Sequence, residues 1–418
     1  MAERDTPHAR GIVNDMIRRI LAVLALAAMA VSTLAQETRF AVERIEVRNA
    51  HRVSPRVIVA ETLLREGRTY SMSEVGDAVA RLRRLPFLFA AAFTMEDRVL
   101  VIDVTEMRTF SFLGDARQIE LERKNLPDAF DEDFSDPTTE WKDAVGGVRW
   151  LSDGAGLVHL GMTVRRNRQP YGVNYSAWEL GYTRYDLFGT RVFAMVDVRT
   201  PVDSISEGTF TPEFMAGVPL TAHQTLTLDV QDTLFRRGTR RIAGFAIDVN
   251  SSQRVIAAAW TYDSTSEPWI ATRGTFVRVA PHWTMKDRAS FRSILPTRVE
   301  TIAEHLDARG VDFAATHHHE LSARDSVSAG LLGGWDVEDR RRPSPGVRSH
   351  PAYEIVTAGY SRKIGASLAG VEARLGLLQP DLEGPGADRT RSVEALVTWA
   401  RRSTWGALRL GLGFAREQ

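Results

Sequence analysis

The pattern of hydrophobic and polar residues changes twice along this chain of 418 residues. One unbroken apolar run, from Ile20 to Ala35, is followed by mixed helix-like and strand-like segments over residues 39–107 and by strand-like alternation after residue 145. Apolar residues three or four positions apart indicate an amphipathic helix, whereas strict alternation indicates a half-buried strand. The pattern therefore predicts a leader, a small α+β domain and a larger all-β domain.

The apolar run near the start has the features of a secretory signal peptide. Arg18 and Arg19 precede it, and Thr33-Leu34-Ala35 ends it with small residues at the two cleavage positions. The run has 16 residues, which is short of the roughly 20 that a membrane-spanning helix needs. We expect residues 1–35 to be a signal peptide, with Met16 as a candidate for the true start. The alternative is a retained membrane anchor.

Residues 39–107 predict a compact unit with the order β-α-α-β-β. Pro55 suits the first position of a helix, and Gly67 suits a helix end. Ser71 and Glu74 have the spacing of a capping box, and Pro86 stops the second helix. The two closing strands are predicted over Phe87–Met95 and Arg98–Val104.

After residue 145 the hydrophobic period is two in run after run. In Ala407–Phe414, for example, leucines and a phenylalanine alternate with small residues and Arg409. Turn signals such as Leu382-Glu383-Gly384-Pro385-Gly386 separate the runs, and the pattern contains no amphipathic helix. Either a soluble all-β domain or a membrane-spanning antiparallel β-barrel over residues 145–418 fits this periodicity.

Aromatic and charged positions favour the membrane barrel. All nine Trp and seven of the eight Tyr lie beyond residue 140, and outer-membrane barrels carry aromatic girdles at both bilayer boundaries. Arg191, Asp197 and Arg199 share one face of a predicted strand. Such charges suit a water-filled lumen better than a dry core. The predicted fold is therefore a small α+β domain followed by an all-β antiparallel transmembrane β-barrel.

Composition excludes several other classes of protein. The 53 basic and 53 acidic residues cancel, which argues against a nucleic-acid-binding domain. The absence of cysteine excludes disulfides, thiolate metal sites and a cysteine nucleophile. A mean hydropathy of −0.20 excludes a multi-helix membrane protein.

We expect no enzymatic activity, no cofactor and no metal site. The serine-hydrolase, zinc-protease and phosphate-loop motifs are missing from the sequence. His317-His318-His319-Glu320 is histidine-rich, but a strand sends adjacent residues to opposite faces, so at most two histidines share a side. A secreted β-rich enzyme is kept as a further alternative.

Residues 108–144 are predicted to be a linker. Their acidic run, from Asp128 to Glu140, lacks the glycine turn of a calcium loop and is expected to be solvated. A degenerate second α+β domain in this region is the alternative.

The residues 39–107 resemble a POTRA (polypeptide-transport-associated) domain. The resemblance rests on the helix end Leu63-x-x-x-Gly67, on Tyr70 and on the closing strand "VLVIDVTE". Ala50 stands where the family usually has glycine.

Two motifs in the β-rich part resemble a turn motif and a strand-start motif of outer-membrane barrels that carry POTRA domains. "YTRYDLFGTRV" contains the turn residues Asp186, Leu187, Phe188 and Gly189. "SEPWIATRGTFVRV" contains the strand start Arg273-Gly274-Thr275. Together with the signal and the POTRA-like unit, they make the chain similar to the bacterial surface antigen and outer-membrane protein assembly factor superfamily.

The resemblance implies a 16-stranded outer-membrane barrel, whereas the sequence runs alone indicate 12 to 16 strands. An even number places both ends of the barrel in the periplasm. The implied function is insertion or export of other polypeptides, with the POTRA domain in the periplasm. A client strand is expected to add to the edge Phe87–Met95. The candidate client-binding residues on this edge are Phe87, Phe89, Phe93 and Met95.

The expected partners are outer-membrane lipid and lipopolysaccharide, an extended client polypeptide and accessory proteins of the periplasm. Nucleic acid is not an expected partner. The basic clusters Arg236-Arg237, Arg240-Arg241 and Arg340-Arg341-Arg342 are candidates for contact with lipopolysaccharide phosphates.

Two departures from the family pattern leave a second function open. The Val-Arg-Gly-Phe/Tyr loop motif of the family is missing between residues 290 and 360, and Phe414 is followed by four further residues instead of ending the chain. The alternative is a passive outer-membrane pore or structural surface antigen without translocase activity.

Overall fold

A computed structural model describes most of the chain beyond the predicted signal peptide. The described residues are 38–123, 138–166, 175–201, 209–236, 240–242, 245–267, 270–295, 298–338, 352–379 and 390–417. The predicted signal peptide 1–35, the start at Met16, residues 128–137 of the acidic run, Arg237 and the Arg340–Arg342 cluster lie outside them.

The first part of the described chain is an α+β unit with two helices and five strands. Its strands are β1 (Arg39–Val42), β2 (Arg44–Arg48), β3 (Arg68–Ser71), β4 (Leu88–Glu96) and β5 (Val99–Glu106), and its helices are α1 (Pro55–Thr62) and α2 (Met72–Leu82). The main sheet has the order β2-β5-β4, with β2 parallel and β4 antiparallel to β5. A separate antiparallel pair joins β1 to β3.

Local sequence signals account for the helix starts. Pro55 opens α1, and at the start of α2 the Ser71 hydroxyl accepts from the Glu74 N–H at 3.2 Å while the Glu74 carboxylate accepts from the Ser71 N–H at 2.7 Å. Apolar side chains of both helices pack on the sheet in one buried core, led by Val57, Ile58, Val75, Val79, Leu82, Leu88, Leu100 and Ile102. Among the described residues, neither helix is long and apolar enough to cross a membrane.

The described strands from residue 110 onward form one closed β-sheet. Its segments are β6 (Phe110–Arg123), β7 (Thr138–Leu151), β8 (Gly156–Arg166), β9 (Tyr175–Arg184), β10 (Phe193–Pro201), β11 (Thr209–Pro219), β12 (Gln224–Arg236), β13 (Arg240–Ile242), β14 (Phe245–Asp263), β15 (Gly274–Leu295), β16 (Arg298–Glu320), β17 (Asp325–Glu338), β18 (Ala352–Ile364), β19 (Ser367–Gln379), β20 (Thr390–Ser403) and β21 (Gly406–Glu417). Successive strands pair antiparallel, and β21 closes the barrel by pairing parallel with β6.

The described residues give the barrel 15 strands around its circumference. The segments β12 and β13 together occupy one position in the ring, because both pair with β14. Residues Gln224–Arg236 pair with one part of β14 and Arg240–Ile242 pair with another part. Strand directions cannot alternate all the way around a closed sheet with an odd number of strands, so at least one neighbouring pair must be parallel. The prediction of 16 strands is therefore not confirmed, and the first and last strands run in the same direction instead of in opposite ones.

The predicted linker over residues 108–144 is wrong for most of its length. The strands β6 and β7 cover its two ends and pair with each other from Phe110↔Trp150 to Glu122↔Thr138. Phe110 and Phe112 are exposed while Ser111 between them is buried. This alternation is soon interrupted by Gly114-Asp115, so the periodic signal is too short to identify the strand from sequence.

The two faces of the barrel wall differ in chemistry. On β9, Trp178, Leu180 and Tyr182 are exposed, and on β10 Val196 is 53% exposed while its neighbour Asp197 is 1% exposed. Successive side chains of a strand point to opposite faces, so one face of the closed sheet is apolar and outward and the other is polar and inward. An apolar outer surface is what contact with lipid requires.

Candidate functional site: the barrel rim and the α+β unit

The α+β unit lies against the barrel rim formed by the turns that precede β8, β10, β12, β15 and β21. The Ser54 N–H at the start of α1 donates to the Gly154 carbonyl in the β7–β8 turn at 2.8 Å. The loop before Ser54 is held by Glu106, whose Oε1 accepts from the backbone N–H groups of His51, Arg52 and Val53 at 3.0, 2.9 and 2.8 Å. Burial alone would raise the pKa of Glu106, but these donors and the Arg52 guanidinium hold it below its ordinary value.

Arginines at the end of α2 and just after it make the next contacts with the rim. Arg81 is paired with the buried Glu61 at 2.8 Å and also reaches the Thr225 hydroxyl at 3.4 Å. Arg84 donates to the Ala222 carbonyl at 3.3 Å. Because burial dominates over the Arg81 charge, the pKa of Glu61 is raised above its ordinary value. The polar side of α2 is thus used for contact with the barrel.

A single arginine of the barrel wall completes the junction from the opposite side. Arg402, near the end of β20, donates to the Arg83 carbonyl at 3.0 Å and to the Leu88 carbonyl at 2.7 Å. Its guanidinium lies 5.6 Å from the ring centre of Phe89, and its side chain is only 7% exposed. One residue of the barrel therefore ties the end of α2 to the start of β4.

The predicted turn motif lies at this rim. Residues Leu187–Gly189 form a short 3-10 turn, in which Phe188 and Gly189 have positive φ angles of 57° and 69°. Asp186 accepts from the Arg184 guanidinium at 2.6 Å, and Phe188 is 91% exposed. The tyrosine before the turn, Tyr185, meets Phe87 edge to face at 5.0 Å. The motif thus carries an aromatic ring into the core of the α+β unit.

The second motif also lies at the rim, where β15 begins. Gly274 has a φ of 102°, and a Cβ at this position would collide with the Ser264 carbonyl, so only glycine fits. The Thr275 N–H donates to the Ser264 hydroxyl at 2.9 Å, and its own hydroxyl bonds to His317 at 2.9 Å. The Arg273 carbonyl accepts a hydrogen bond from the Ser266 N–H at 3.0 Å, which closes the loop.

The candidate client-binding residues lie on or beside β4, at the edge of the main sheet of the α+β unit. Phe87 is 3% exposed and packs on Tyr185, so its side chain does not face solvent. Phe89 lies beneath Arg402. Phe93 and Met95 are half-buried against the core of the unit.

The sequence did not reveal a cluster on the inner wall of the barrel. His159, Glu179 and Asp197, on three neighbouring strands, bring one nitrogen and two carboxylate oxygens within 4.8 Å of one another. The sequence indicated only that Asp197 lies on a charged strand face. It did not indicate that His159 and Glu179 lie beside Asp197, because the register between distant strands is not visible in a sequence. In the part of the chain that the structure describes, no cluster of this kind includes His317 or His319.

These observations define a class of protein: a closed β-barrel with an apolar outside, a polar inside and an α+β unit at one rim. No protein-family model and no curated sequence matches the chain. Among solved structures, BamA from Haemophilus ducreyi lacking POTRA domains 1–3 is similar, with 12% identity over 90% of this chain and 80% of that one and a TM-score of 0.41.

Two further solved structures are also similar to the chain. CdiB from Acinetobacter baumannii has 8% identity over 87% of this chain and 68% of that one, with a TM-score of 0.43. The outer membrane protein OmpT of Vibrio cholerae has 9% identity over 65% of this chain and 87% of that one, with a TM-score of 0.31.

Proposed function

We propose that this chain is an outer-membrane barrel of the assembly and translocation superfamily that inserts or exports other polypeptides. In this proposal the α+β unit is a POTRA domain in the periplasm, and it binds an extended client strand beside the barrel rim. No residue carries out covalent chemistry. Outer-membrane lipid surrounds the barrel.

The observation that supports this proposal best is the position of β4. It pairs with β5 on one side only, at the edge of the three-stranded sheet. A sheet edge presents unpaired N–H and C=O groups that an extended peptide is able to bind by adding a strand. The same sheet lies against the rim of a closed barrel, so a client bound there is already near the membrane.

The two halves of β4 are not equally available. The carbonyl of Leu88 accepts from Arg402 and the carbonyl of Ala91 accepts from Arg83 at 2.9 Å. Beyond Ala91 the backbone of β4 has no hydrogen-bond partner other than β5 among the described residues. A client strand is therefore expected to pair along Ala92–Glu96, where it would also cover the half-buried Phe93 and Met95.

Cysteine crosslinking tests this binding mode directly, because the natural chain has no cysteine. The probe is a urea-unfolded eight-stranded outer-membrane barrel with one cysteine in its last strand, diluted into vesicles that contain the full-length protein. We expect Thr94→Cys on the edge strand to crosslink at alternate probe positions. The control Glu43→Cys, exposed between β1 and β2, is expected to give none. Equal crosslinking at both positions refutes strand addition at β4.

A passive pore or structural antigen is the second candidate, and one observation favours it. The pairing of β21 with β6 runs without interruption from Gly406↔Phe112 to Glu417↔Arg123. An unbroken ladder gives the barrel wall no visible lateral opening. Removal of residues 39–107 separates the two candidates. A pore is expected to keep its conductance in planar bilayers after the removal, whereas a translocase is expected to stop accelerating the insertion of the probe.

A further inference from the structure

The inner wall of the barrel carries a histidine between two carboxylates. His159 on β8 and Asp197 on β10 both lie opposite Gly181 on the strand between them. Glu179 is two residues before Gly181, so its side chain points to the same face. The neighbours Leu160, Leu180 and Val196 are exposed on the outer face, which places all three polar side chains on the lumen side.

Gly181 makes this arrangement possible. A Cβ at residue 181 would occupy the space of the His159 imidazole, colliding with its Cε1 and Nε2 atoms. The ring therefore lies flat across the middle strand and reaches the strand beyond it. Its Nε2 is 3.1 Å from Glu179 Oε1 and 3.1 Å from Asp197 Oδ2. Any other residue at position 181 would push the imidazole away from the carboxylates.

Protein groups leave the Asp197 carboxylate at this point incompletely satisfied. One imidazole nitrogen carries at most one proton, so Nε2 is able to donate one full hydrogen bond and not two. The other oxygen of Asp197, Oδ1, is buried and has no hydrogen-bond partner among the described residues, although the residue is 1% exposed. A buried carboxylate without full compensation is costly. The nearby Arg199 contacts Glu179 at 3.3 Å and Glu213 at 2.9 Å.

We propose that His159, Glu179 and Asp197 bind a divalent transition-metal ion such as Zn²⁺ on the lumen wall. One imidazole nitrogen and carboxylate oxygens are a normal zinc donor set, and three protein ligands leave a fourth position for water. Ligand atoms around a tetrahedral zinc ion with bonds of about 2.1 Å are about 3.4 Å apart, close to the observed 3.1 Å. The ion would add positive charge beside the buried Asp197 carboxylate, whose Oδ1 has no hydrogen-bond partner among the described residues, and would link three neighbouring strands.

Zinc titration of the full-length protein in detergent tests the site. The purified protein is stripped of metal with a chelator and titrated with ZnCl₂. Two quantities are measured: the amount of bound zinc, and the temperature at which heating unfolds the barrel and changes its migration on a gel. We expect one tight zinc ion per chain and a higher unfolding temperature. His159→Gln and Asp197→Asn are each expected to weaken binding by more than about 100-fold, since loss of outer-shell partners alone costs 10–100-fold.

Two more variants make the test specific. Gly181→Ala keeps every ligand but removes the space for the imidazole, so it is expected to lose the zinc as well. His317→Gln changes an exposed histidine elsewhere in the barrel and is expected to bind like the natural protein. Should a ligand variant fail to fold, the visible absorption spectrum of Co²⁺ bound to the natural protein must show nitrogen and oxygen ligands in a four- or five-coordinate site. Zinc binding that is absent from the natural protein, or equal in all variants, overturns the proposal.

Discussion

Replacement of Arg402 by alanine is expected to loosen the α+β unit without opening the barrel. The Arg402 guanidinium donates to the carbonyls of Arg83 and Leu88 at 3.0 and 2.7 Å, and the second of these bonds is buried. Its neighbour Arg401 is exposed on the other face of the same strand. Arg401→Ala is therefore a matched control, because it removes the same charge one residue away and leaves the junction intact.

The expected magnitude follows from the two hydrogen bonds. Each bond to a charged donor contributes about 1.5–3 kcal/mol, so their loss together costs about 3 kcal/mol at the low end of that range. The ion pair with Glu267 adds nothing to this figure, because its atoms are 3.8 Å apart and Glu267 is 37% exposed. At 1.4 kcal/mol for each factor of ten, local opening of the end of α2 and the start of β4 becomes about 100-fold more frequent.

Amide hydrogen exchange followed by mass spectrometry measures this opening in the full-length protein. We expect peptides that cover residues 80–92 to exchange about 100-fold faster in Arg402→Ala, while barrel peptides and the Arg401→Ala variant keep the natural rates. If Arg402→Ala leaves residues 80–92 as protected as in the natural protein, the junction does not stabilise this segment. If all strands exchange faster, the residue stabilises the barrel and not the junction.

Two other changes test the turn geometry and the loop before α1. Gly406→Ala is expected to lower the gel-shift unfolding temperature, because Gly406 has a φ of 140° and a Cβ would collide with the Phe112 carbonyl. Gly146→Ala serves as control, because a Cβ at Gly146 meets only the Leu113 carbonyl at 3.7 Å. Equal effects of the two would refute this reasoning. The folded pKa of Glu106 lies below its unfolded value of 4.5, so its stabilisation is present above that value and is lost as the pH falls through the folded pKa. Protease resistance of residues 39–107 should therefore decline in acid, and Glu106→Gln, which loses about 1 kcal/mol, should lack this dependence.

Local signals in the α+β unit were enough to predict its two helices and its two closing strands, but neither β3 between the helices nor the division of the opening strand into β1 and β2 was predicted. The proline at the start of α1, the reciprocal bonds of Ser71 and Glu74 and the stop at Pro86 each act within a few residues of one another. The edge position of β4 was also expected, but the burial of Phe87 was not. That burial depends on Tyr185, which is 98 positions away in the chain.

In the barrel, the alternation of side chains predicted most of the strands and the chemistry of their two faces. It was insufficient for β6 and β7, where glycine and charged residues interrupt the alternation. The first of the two family-like motifs forms a turn and the second begins a strand, and Gly189 and Gly274 have the positive φ angles that such positions require.

The sequence by itself determined which segments alternate, where helices begin and which side chains share a face, because these properties depend on neighbouring residues. Only the tertiary structure decided how many strands close the ring, that β6 and β21 run parallel, and that His159 lies beside Asp197 across Gly181. Such pairings depend on strand register, and a register is set by the packing of the whole sheet. A shift of one residue would keep every alternation in the sequence and still move these side chains to opposite faces of the wall.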